Sequence, residues 1–368
     1  MVASTLLCRR LFAMNPIPTI AQAAVLVVHD GLLEVKNVVL PKLVAGQVLV
    51  QVLFSGVCRS QLMEVRGSRG SDPWVPHLLG HEGSGIVLEV GPRVTKVKPG
   101  DAVILGWVKG EGLDAPGAKY QCDGQTINSG RVTTFCNYTV VSESRLVIKP
   151  SDLAFDTAVL FGCALPTGAG MVLNELKPGV DQSVVVLGLG GIGLAALMAL
   201  KALSIKTVIA VDISEEKLAF ATRLGATHAV NSTNGNFLQV MQDLTPGGAD
   251  FCVESGGRVA TIELGFSLIR KNGGKLLFSS HPPEGETIRL LPHDLISGKK
   301  IAGSWGGATQ PDHDIPILNT LFRRSNTPLA ALLTKRYSLD QINDALNDLE
   351  LGRVFRPLIV MEHDYENI

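Results

Sequence analysis

The chain has 368 residues and a formal net charge of -1, with 46% hydrophobic and 18% charged residues. This length exceeds a single ordinary hydrophobic core and predicts two domains, while the balanced charge excludes the basic surface typical of nucleic-acid-binding proteins. The six cysteines are scattered without the short spacings of a disulfide framework, so we expect reduced thiols in a cytoplasmic protein.

The first 24 residues leave two interpretations open. They contain Arg9 and Arg10 and no acidic residue, which is typical of a targeting segment. We favour an extended start, because the stretch lacks a convincing apolar core and a cleavage site and because Met14 opens a sequence of mature type.

From Ala24 to about Val147 the sequence favours short strands separated by glycine and proline clusters. The β-rich runs are Val25–Val28, Gln47–Leu53, Gly85–Val90 and Asp101–Leu105. Strands at this spacing predict a barrel-like or Greek-key β domain.

After about Gly168 strands alternate with helices, which predicts a doubly wound parallel sheet. The predicted strands are Ser183–Leu187, Thr207–Val211, Phe251–Glu254 and Gly274–Phe278, and the predicted helices are Gly191–Leu203 and Glu215–Leu224. A helix around Leu339–Leu349 and a strand near Pro357–Val360 end the chain. The apolar run Val184–Leu200 falls short of the ~20 residues that span a bilayer, so we expect no membrane segment.

A glycine-rich turn lies between the first predicted strand and helix of that alternating region. It contains Gly188, Gly190, Gly191, Ile192 and Gly193 in the pattern G-x-G-x-x-G. The first glycine permits the tight turn, the second admits a pyrophosphate to the backbone, and the third lets helix and sheet pack closely. The strand–turn–helix context therefore predicts a dinucleotide site at a helix N-terminus.

An acidic residue, Asp212, ends the next predicted strand. A carboxylate there accepts the ribose hydroxyls and repels a 2′-phosphate, which predicts NAD over NADP. Lys217, one helical turn later, could also reach the ribose.

Three further motifs lie far apart in the sequence: Gly56–Ser60 with Cys58, Gly80–Gly83 with His81, and Gly162–Gly168 with Cys163. Their spacing alone would not predict a metal site, because a lone cysteine is usually a core residue. In this order, with Val97–Asp101 and the glycine turn, they resemble the zinc-dependent alcohol dehydrogenases of the medium-chain dehydrogenase/reductase superfamily. The resemblance runs from about Ala24 to Met361.

The resemblance implies one catalytic Zn²⁺ held by Cys58, His81 and Cys163, with the fourth position open to water or substrate. It implies a catalytic part for Glu82 beside the metal, for Ser60 as hydrogen-bond partner of the substrate oxygen, and for Thr167 beside the nicotinamide. It also implies that Arg59 and Arg356 lie near the cofactor phosphates.

The chain departs from the family at several positions. Gln61 stands where the family has an aspartate that accepts from the metal-bound histidine, so zinc affinity could be lower. Met63 replaces a relay histidine and cannot carry a proton. Only Cys122 and Cys136 lie between Gly106 and Tyr138, so we expect no structural four-cysteine zinc and a loop over Trp107–Val132. Trp107 itself is either a pocket wall or an ordinary buried aromatic residue.

The resulting hypothesis is an α/β protein with a GroES-like β-rich catalytic domain, residues 14–167 and 305–368, and a Rossmann domain, residues 168–304. It transfers hydride between a small alcohol or carbonyl compound and NAD, with zinc as Lewis acid. The polar loop from Lys109 to Thr133 hints at a polyol. We expect a homodimer or homotetramer, with Lys300–Gly307 as a contact by strand pairing, and no nucleic-acid or membrane partner.

Two alternatives remain at this point. One is a zinc-free quinone or enoyl reductase of the same superfamily, against which the three metal-ligating residues argue. The other is a non-catalytic nucleotide-binding protein, which Gln61 and Met63 favour because they weaken the support of the metal site.

Overall fold

The computed structural model describes residues 17–363. Residues 1–13, which are either a targeting segment or an extended start before Met14, lie outside the described part. The chain divides into two compact units. The first comprises the described residues up to Cys163, residues 310–312 and those from Ala330 onward, and the second comprises residues 164–309 and 313–329.

The first unit is rich in β-structure. Its three α-helices are α1 (Arg59–Val65), α2 (Phe155–Ala158) and α10 (Ile342–Glu350). Its strands are β1 (Ile20–Leu26), β2 (Leu33–Val39), β3 (Gln47–Gly56), β4 (His77–Leu78), β5 (Gly83–Val90), β6 (Ala102–Leu105), β7 (Lys119–Cys122), β8 (Gln125–Asn128), β9 (Tyr138–Ser142), β10 (Leu146–Ile148), β17 (Lys335–Ser338) and β18 (Pro357–Val360).

Two sheets build this unit. Strands β1, β2, β7, β8 and β4 close a barrel, and the second sheet has the order β10-β6-β5-β3-β18-β17 with β9 also paired to β3. Strand β3 contributes side chains to two hydrophobic cores, because alternate side chains of a strand point to opposite faces. Val48, Val50 and Val52 lie in one core and Leu49 in the other. The valine-rich alternation therefore explains why β3 is the central strand.

The expectation of a loop over Trp107–Val132 is wrong for residues 119–128, which form the hairpin of β7 and β8. Asp123 and Gly124 connect the strands with φ values of 50° and 78°. Two positive φ angles are typical of a type I′ turn, for which Asp-Gly is a preferred pair. Tyr120, Cys122 and Ile127 are buried beneath the hairpin, so the alternation was present in the sequence.

The second unit holds a six-stranded parallel sheet with the order β13-β12-β11-β14-β15-β16. Its strands are β11 (Ser183–Leu187), β12 (Thr207–Asp212), β13 (His228–Asn231), β14 (Phe251–Glu254), β15 (Lys275–Phe278) and β16 (Lys300–Gly303). Its helices are α3 (Ala164–Gly170), α4 (Gly191–Ala202), α5 (Glu215–Leu224), α6 (Phe237–Leu244), α7 (Val259–Leu268), α8 (Pro292–Ile296) and most of α9 (Pro311–Arg324), and Met171–Leu176 continues α3 as a π-helix.

This sheet confirms the predicted α/β class. The valines of β11 are buried on both faces, as expected for a central parallel strand. The strand order reverses direction at β11, which has β12 on one side and β14 on the other. Ligands of open α/β sheets bind outside the carboxyl ends of the strands at such a point, and β11 ends directly before Gly188.

In residues 17–363 no single helix is both long and apolar enough to cross a membrane. Only the consecutive helical segments 155–162 and 164–176 reach that length and composition when taken as a pair.

Candidate active site

The first unit brings together Cys58, His81 and Cys163, which the sequence holds far apart. One donor atom from each lies within 4.8 Å of the others. Cys58 precedes α1, His81 lies in the turn between β4 and β5, and Cys163 follows a 3₁₀ turn over Val159–Gly162. The side chains of the two cysteines are buried.

The ligand types of this group suit a zinc ion, and one of its nitrogen atoms lacks a hydrogen-bond partner among the described residues. Nε2 of His81 is buried and has no hydrogen-bond partner among the described residues. The pKa of Cys58 falls well below its usual range, chiefly because Cys163 donates a hydrogen bond to it and because Arg356 and His81 lie nearby. Two thiolates and one imidazole are zinc ligands, and three of them leave a coordination position open.

The backbone around His81 is fixed by buried polar side chains that no sequence motif had indicated. The carbonyl of Glu82 accepts from the N–H of Gly56 at 3.1 Å, from Ser55 Oγ at 3.1 Å and from Thr134 Oγ1 at 3.2 Å. A Cβ at Gly80, where φ is +88°, would lie 2.8 Å from the backbone N of Phe135. Position 80 therefore requires glycine, both for its conformation and for its space.

Gln61 lies against His81, as expected for the residue in place of the family's aspartate. Its Oε1 accepts from the N–H of Cys58 at 3.0 Å and caps α1. Its amide nitrogen therefore faces Nδ1 of His81. The family's aspartate accepts at this position, whereas an amide N–H donor faces Nδ1 here. For Nε2 to bind a metal, Nδ1 must carry the ring proton, so the Gln61 amide would have to turn its oxygen towards Nδ1 when a metal binds, whereas a carboxylate accepts there without turning.

Glu82 and Arg356 form a buried ion pair behind the site. Oε2 of Glu82 is 3.0 Å from Nη2 of Arg356, and the two side chains are 0% and 4% exposed. Burial raises the pKa of Glu82 to about 7 against the opposing effect of Arg356. Oε1 of Glu82 has no hydrogen-bond partner among the described residues. Arg356, expected near a cofactor phosphate, is thus held by a carboxylate inside the first unit.

Several predicted positions line the same region of the first unit. Oγ of Ser60 is buried without a hydrogen-bond partner in the described chain. The half-buried ring of Trp107 lies 6.5 Å from the ring of His81, tilted by 56°. Arg59 is exposed and Met63 is half-buried. In the second unit, Oγ1 of Thr167 is likewise buried without a partner in the described residues.

The glycine turn of the second unit fits a dinucleotide. Gly188 has a φ of +89°, and a Cβ there would meet the backbone N of Gly256 at 2.7 Å. A Cβ at Gly193 would lie 2.0 Å from the carbonyl oxygen of Gly188, so this glycine permits close packing of α4. A Cβ at Gly190 would meet nothing within 4 Å. The space beside Gly190, where the motif requires the pyrophosphate to approach the backbone, therefore contains no other atom of the described chain.

Helix α4 begins at Gly191 with Gly190 as its N-cap and no side chain on its first N–H groups, and Ile192 and Gly193 complete its first turn. Free N–H groups at a helix N-terminus bind anions. Asp212 lies beside the turn, where its Oδ2 accepts from the N–H of Leu189 at 2.7 Å. Lys217 is partly buried in the first turn of α5.

Two family models match the chain. Residues 44–151 match the alcohol dehydrogenase GroES-like domain, and residues 191–323 match the zinc-binding dehydrogenase model. The alcohol dehydrogenase class-3 of Cereibacter sphaeroides is 30% identical over 375 residues, which cover 92% of this chain and 99% of that relative. The S-(hydroxymethyl)glutathione dehydrogenase of Paracoccus denitrificans is also 30% identical, with the same shares covered.

Solved structures agree. The benzyl alcohol dehydrogenase of Acinetobacter calcoaceticus superposes with a TM-score of 0.84 at 30% identity, covering 94% of this chain and 100% of that one. An alcohol dehydrogenase zinc-binding domain protein of Burkholderia ambifaria gives a TM-score of 0.86 at 27% identity, covering 94% and 99%. The chain therefore belongs to the zinc-dependent alcohol dehydrogenases of the medium-chain dehydrogenase/reductase superfamily, and it is an oxidoreductase that acts on a small alcohol with zinc and NAD(H).

Proposed function

We propose that Cys58, His81 and Cys163 hold the catalytic zinc. The observation that carries this proposal is the buried, unpartnered Nε2 of His81 beside two thiols. A zinc ion there would lower the pKa of an alcohol oxygen, as it lowers that of bound water to ~7. The remaining steps fall to side chains of this chain.

Ser60 is the proposed acceptor of the hydrogen bond from the substrate hydroxyl. Its Oγ is buried and has no partner among the described residues, so it retains both a donor and an acceptor function for a ligand. Met63 cannot pass a proton onward. The proton would leave from Ser60 through the cofactor ribose and water.

Glu82 and Arg356 act together in this proposal. The guanidinium of Arg356 compensates the charge of Glu82 and of the Cys58 thiolate, which otherwise would repel each other in a buried site. We therefore propose that the main role of Arg356 is to balance negative charge beside the metal ligands. Its expected contact with a cofactor phosphate is a secondary role in this proposal.

NAD binding is proposed for the second unit. The pyrophosphate would rest on the N-terminus of α4, at Gly190 to Gly193, and Asp212 would accept the ribose hydroxyls. Lys217 would support the ribose, Arg59 a phosphate, and Thr167 the nicotinamide. With these assignments the domains are residues 14–167 and 305–368 for catalysis and residues 168–304 for NAD.

A homodimer or homotetramer in the cytoplasm is proposed. Strand β16 ends its sheet and pairs only with β15 among the described residues. Exposed apolar residues lie near it in the chain, with Leu291, Ile296 and Trp305 exposed by 70%, 82% and 71%. An exposed edge strand flanked by apolar side chains suits pairing with a second copy.

The substrate is proposed to be a primary alcohol of the aromatic or hydroxymethyl type named in the relatives, with a polyol as the alternative suggested by the polar segment 109–133. The ring of Trp107 beside His81 favours a planar substrate that can stack on it. A screen of benzylic alcohols, aliphatic alcohols and polyols, followed by NADH absorbance, distinguishes them.

Replacement of Cys163 by alanine tests the metal assignment. The Cys163→Ala variant should lose the zinc of this site and all turnover, while NAD binding in the second unit remains. Full turnover of this variant, or a metal-free active enzyme, would contradict the proposal and favour a zinc-free reductase. NAD binding with no hydride transfer to any carbonyl compound by the wild-type zinc protein would favour a non-catalytic role.

A further inference from the structure

A second group of metal-ligating side chains lies in the first unit. Glu64 is in the last turn of α1, Asp72 is in the following loop and His77 begins β4. One donor atom from each lies within 4.8 Å of the others. Their side chains are 26%, 14% and 9% exposed. We propose that these three residues bind a second divalent metal ion, with zinc as the probe.

The hydrogen bonding of His77 calls for a cation beside it. Its Nδ1 is 3.0 Å from the carbonyl oxygen of Leu78, and because a carbonyl only accepts, Nδ1 donates. In the neutral imidazole Nε2 then carries no proton, and its lone pair can only accept a hydrogen bond or bind a metal ion. That lone pair lies 2.7 Å from Oδ2 of Asp72, which is also an acceptor. Two acceptors at this distance require either a second proton on His77 or a metal ion.

Glu64 favours the metal ion over the proton. A proton on Nε2 would satisfy Asp72 but not Glu64, whose Oε1 is 3.9 Å from the same nitrogen. The nearest other cation is Nη1 of Arg69, 3.6 Å from Oε2. Both of these contacts exceed hydrogen-bond distance, and burial raises the pKa of Glu64 against the opposing effects of Arg69 and His77. A metal ion would compensate this desolvation of Glu64 and bind all three side chains, which a single proton on His77 does not do.

The distances suit coordination. Zinc lies about 2.0–2.2 Å from imidazole nitrogen and carboxylate oxygen, so neighbouring ligand atoms of a tetrahedral site are about 3.4 Å apart. Nε2 of His77 is 2.7 Å from Oδ2 of Asp72 and 3.9 Å from Oε1 of Glu64, and these distances lie on either side of this value. Side-chain shifts below about 1 Å would therefore bring the ligand atoms to coordination geometry. Arg69 approaches the other oxygen of Glu64, and the partial exposure admits water as a further ligand.

The donor set predicts which metal binds. One imidazole and two carboxylates suit borderline divalent ions such as zinc or manganese, and the absence of thiolates distinguishes this group from Cys58, His81 and Cys163. An ion here would fasten the loop after α1 to the helix whose first turn carries Gln61. The second ion would therefore stabilise the first unit and take no part in catalysis.

Zinc stoichiometry tests the inference. The purified wild-type enzyme, equilibrated with micromolar free zinc, should hold two zinc ions per chain by elemental analysis. Glu64→Gln and Asp72→Asn should each hold one and keep turnover, whereas Cys163→Ala should hold one and lose turnover. Asp181→Asn, at an exposed ion pair with Lys206, is the matched control and should hold two.

Several outcomes would overturn the inference. One is a single zinc ion in the wild type together with none in Cys163→Ala, which indicates a protonated His77 only. Another is two ions in both Glu64→Gln and Asp72→Asn. Glu64→Gln removes no hydrogen bond of the described chain and should fold, and its melting temperature provides a second measurement. Added zinc should raise that temperature in Cys163→Ala, but not in Cys163→Ala combined with Glu64→Gln.

Discussion

Alanine at either of two glycines of the nucleotide turn should weaken NAD binding, but only one of the two substitutions should also lower stability. At Gly190, φ and ψ are -82° and -171°, which alanine adopts, and the added Cβ meets nothing within 4 Å. The fold should therefore tolerate the change, with a free energy of unfolding altered by less than about 1 kcal/mol. The methyl group would occupy the space proposed for the pyrophosphate. NAD affinity should fall about tenfold or more, which corresponds to ~1.4 kcal/mol.

Gly193→Ala should instead lower stability first. Its Cβ would lie 2.0 Å from the carbonyl oxygen of Gly188, whereas unstrained contacts are about 3.5 Å, so α4 must move by roughly 1.5 Å. Overpacking of this kind costs about 1–3 kcal/mol. Because α4 carries the proposed phosphate site, NAD affinity should fall as well.

Thermal unfolding followed by circular dichroism and titration with NADH followed by fluorescence measure the two effects. Gly235→Ala is the matched control, since its Cβ also meets nothing within 4 Å and the residue lies outside the turn. Wild-type NADH affinity in a folded Gly190→Ala would refute the assignment of the pyrophosphate site. An unchanged melting temperature in Gly193→Ala would refute the close approach of helix and turn.

Three further predictions follow from single contacts. Gln61→Asp should slow zinc loss to a chelator, because a carboxylate accepts from Nδ1–H of His81; equal or faster loss contradicts this reading. Asp212→Ser should lower kcat/KM for NAD and raise it for NADP, and an unchanged ratio contradicts the ribose assignment. Glu143→Ala should reduce the free energy of unfolding at pH 7 by about 1–3 kcal/mol in denaturant titrations, because three backbone N–H groups lose their acceptor; an unchanged value contradicts it.

The pH dependence of the last effect has a definite sign. Burial tends to raise the pKa of Glu143, but the N–H groups of Leu113, Lys96 and Thr95 outweigh it and hold the pKa below its usual range. A folded-state pKa below the unfolded value gives stability that is present above the unfolded pKa and is lost as pH falls through the folded pKa. The difference between wild type and Glu143→Ala should therefore shrink in acid, below about pH 4.

Much of the fold was predictable because its signals are local. The valine run of β11, the glycine turn and Asp212 follow one another within one strand–turn–helix–strand unit, and the structure places them as the motif requires. The hairpin of β7 and β8 was equally local, since Asp123-Gly124 is a type I′ pair. Each strand has only four residues, so its alternation is a weak signal beside the glycines on either side.

The candidate site was predictable only in part, because its members lie on separate strands and turns. No spacing rule connects Cys58 with His81 and Cys163, and only resemblance to a family did so. Ser55 and Thr134 fix the carbonyl of Glu82, yet a lone serine or threonine in a strand carries no signal of such a contact. Glu64, Asp72 and His77, the proposed second metal ligands, lie within fourteen residues of one another, but their spacing matches no metal-binding motif.

Carboxylates hold the segment after Gly106 in place, where the sequence has only Cys122 and Cys136 before Tyr138. Glu143 is fully buried and accepts from the N–H of Leu113 at 2.7 Å, while Oδ2 of Asp312 accepts from the N–H of Glu111 at 2.7 Å. Glu143 and Asp312 thus anchor the backbone of this segment through its N–H groups. Such an anchor is insensitive to thiol oxidation and is released by acid, since its strength depends on the charge of Glu143. Burial raises the pKa of the Cys122 and Cys136 thiols, whereas the pKa of Cys58, a proposed zinc ligand, is lowered. Among the described thiols of the first unit Cys58 should therefore oxidise first, so an oxidant should abolish turnover before it unfolds the domain.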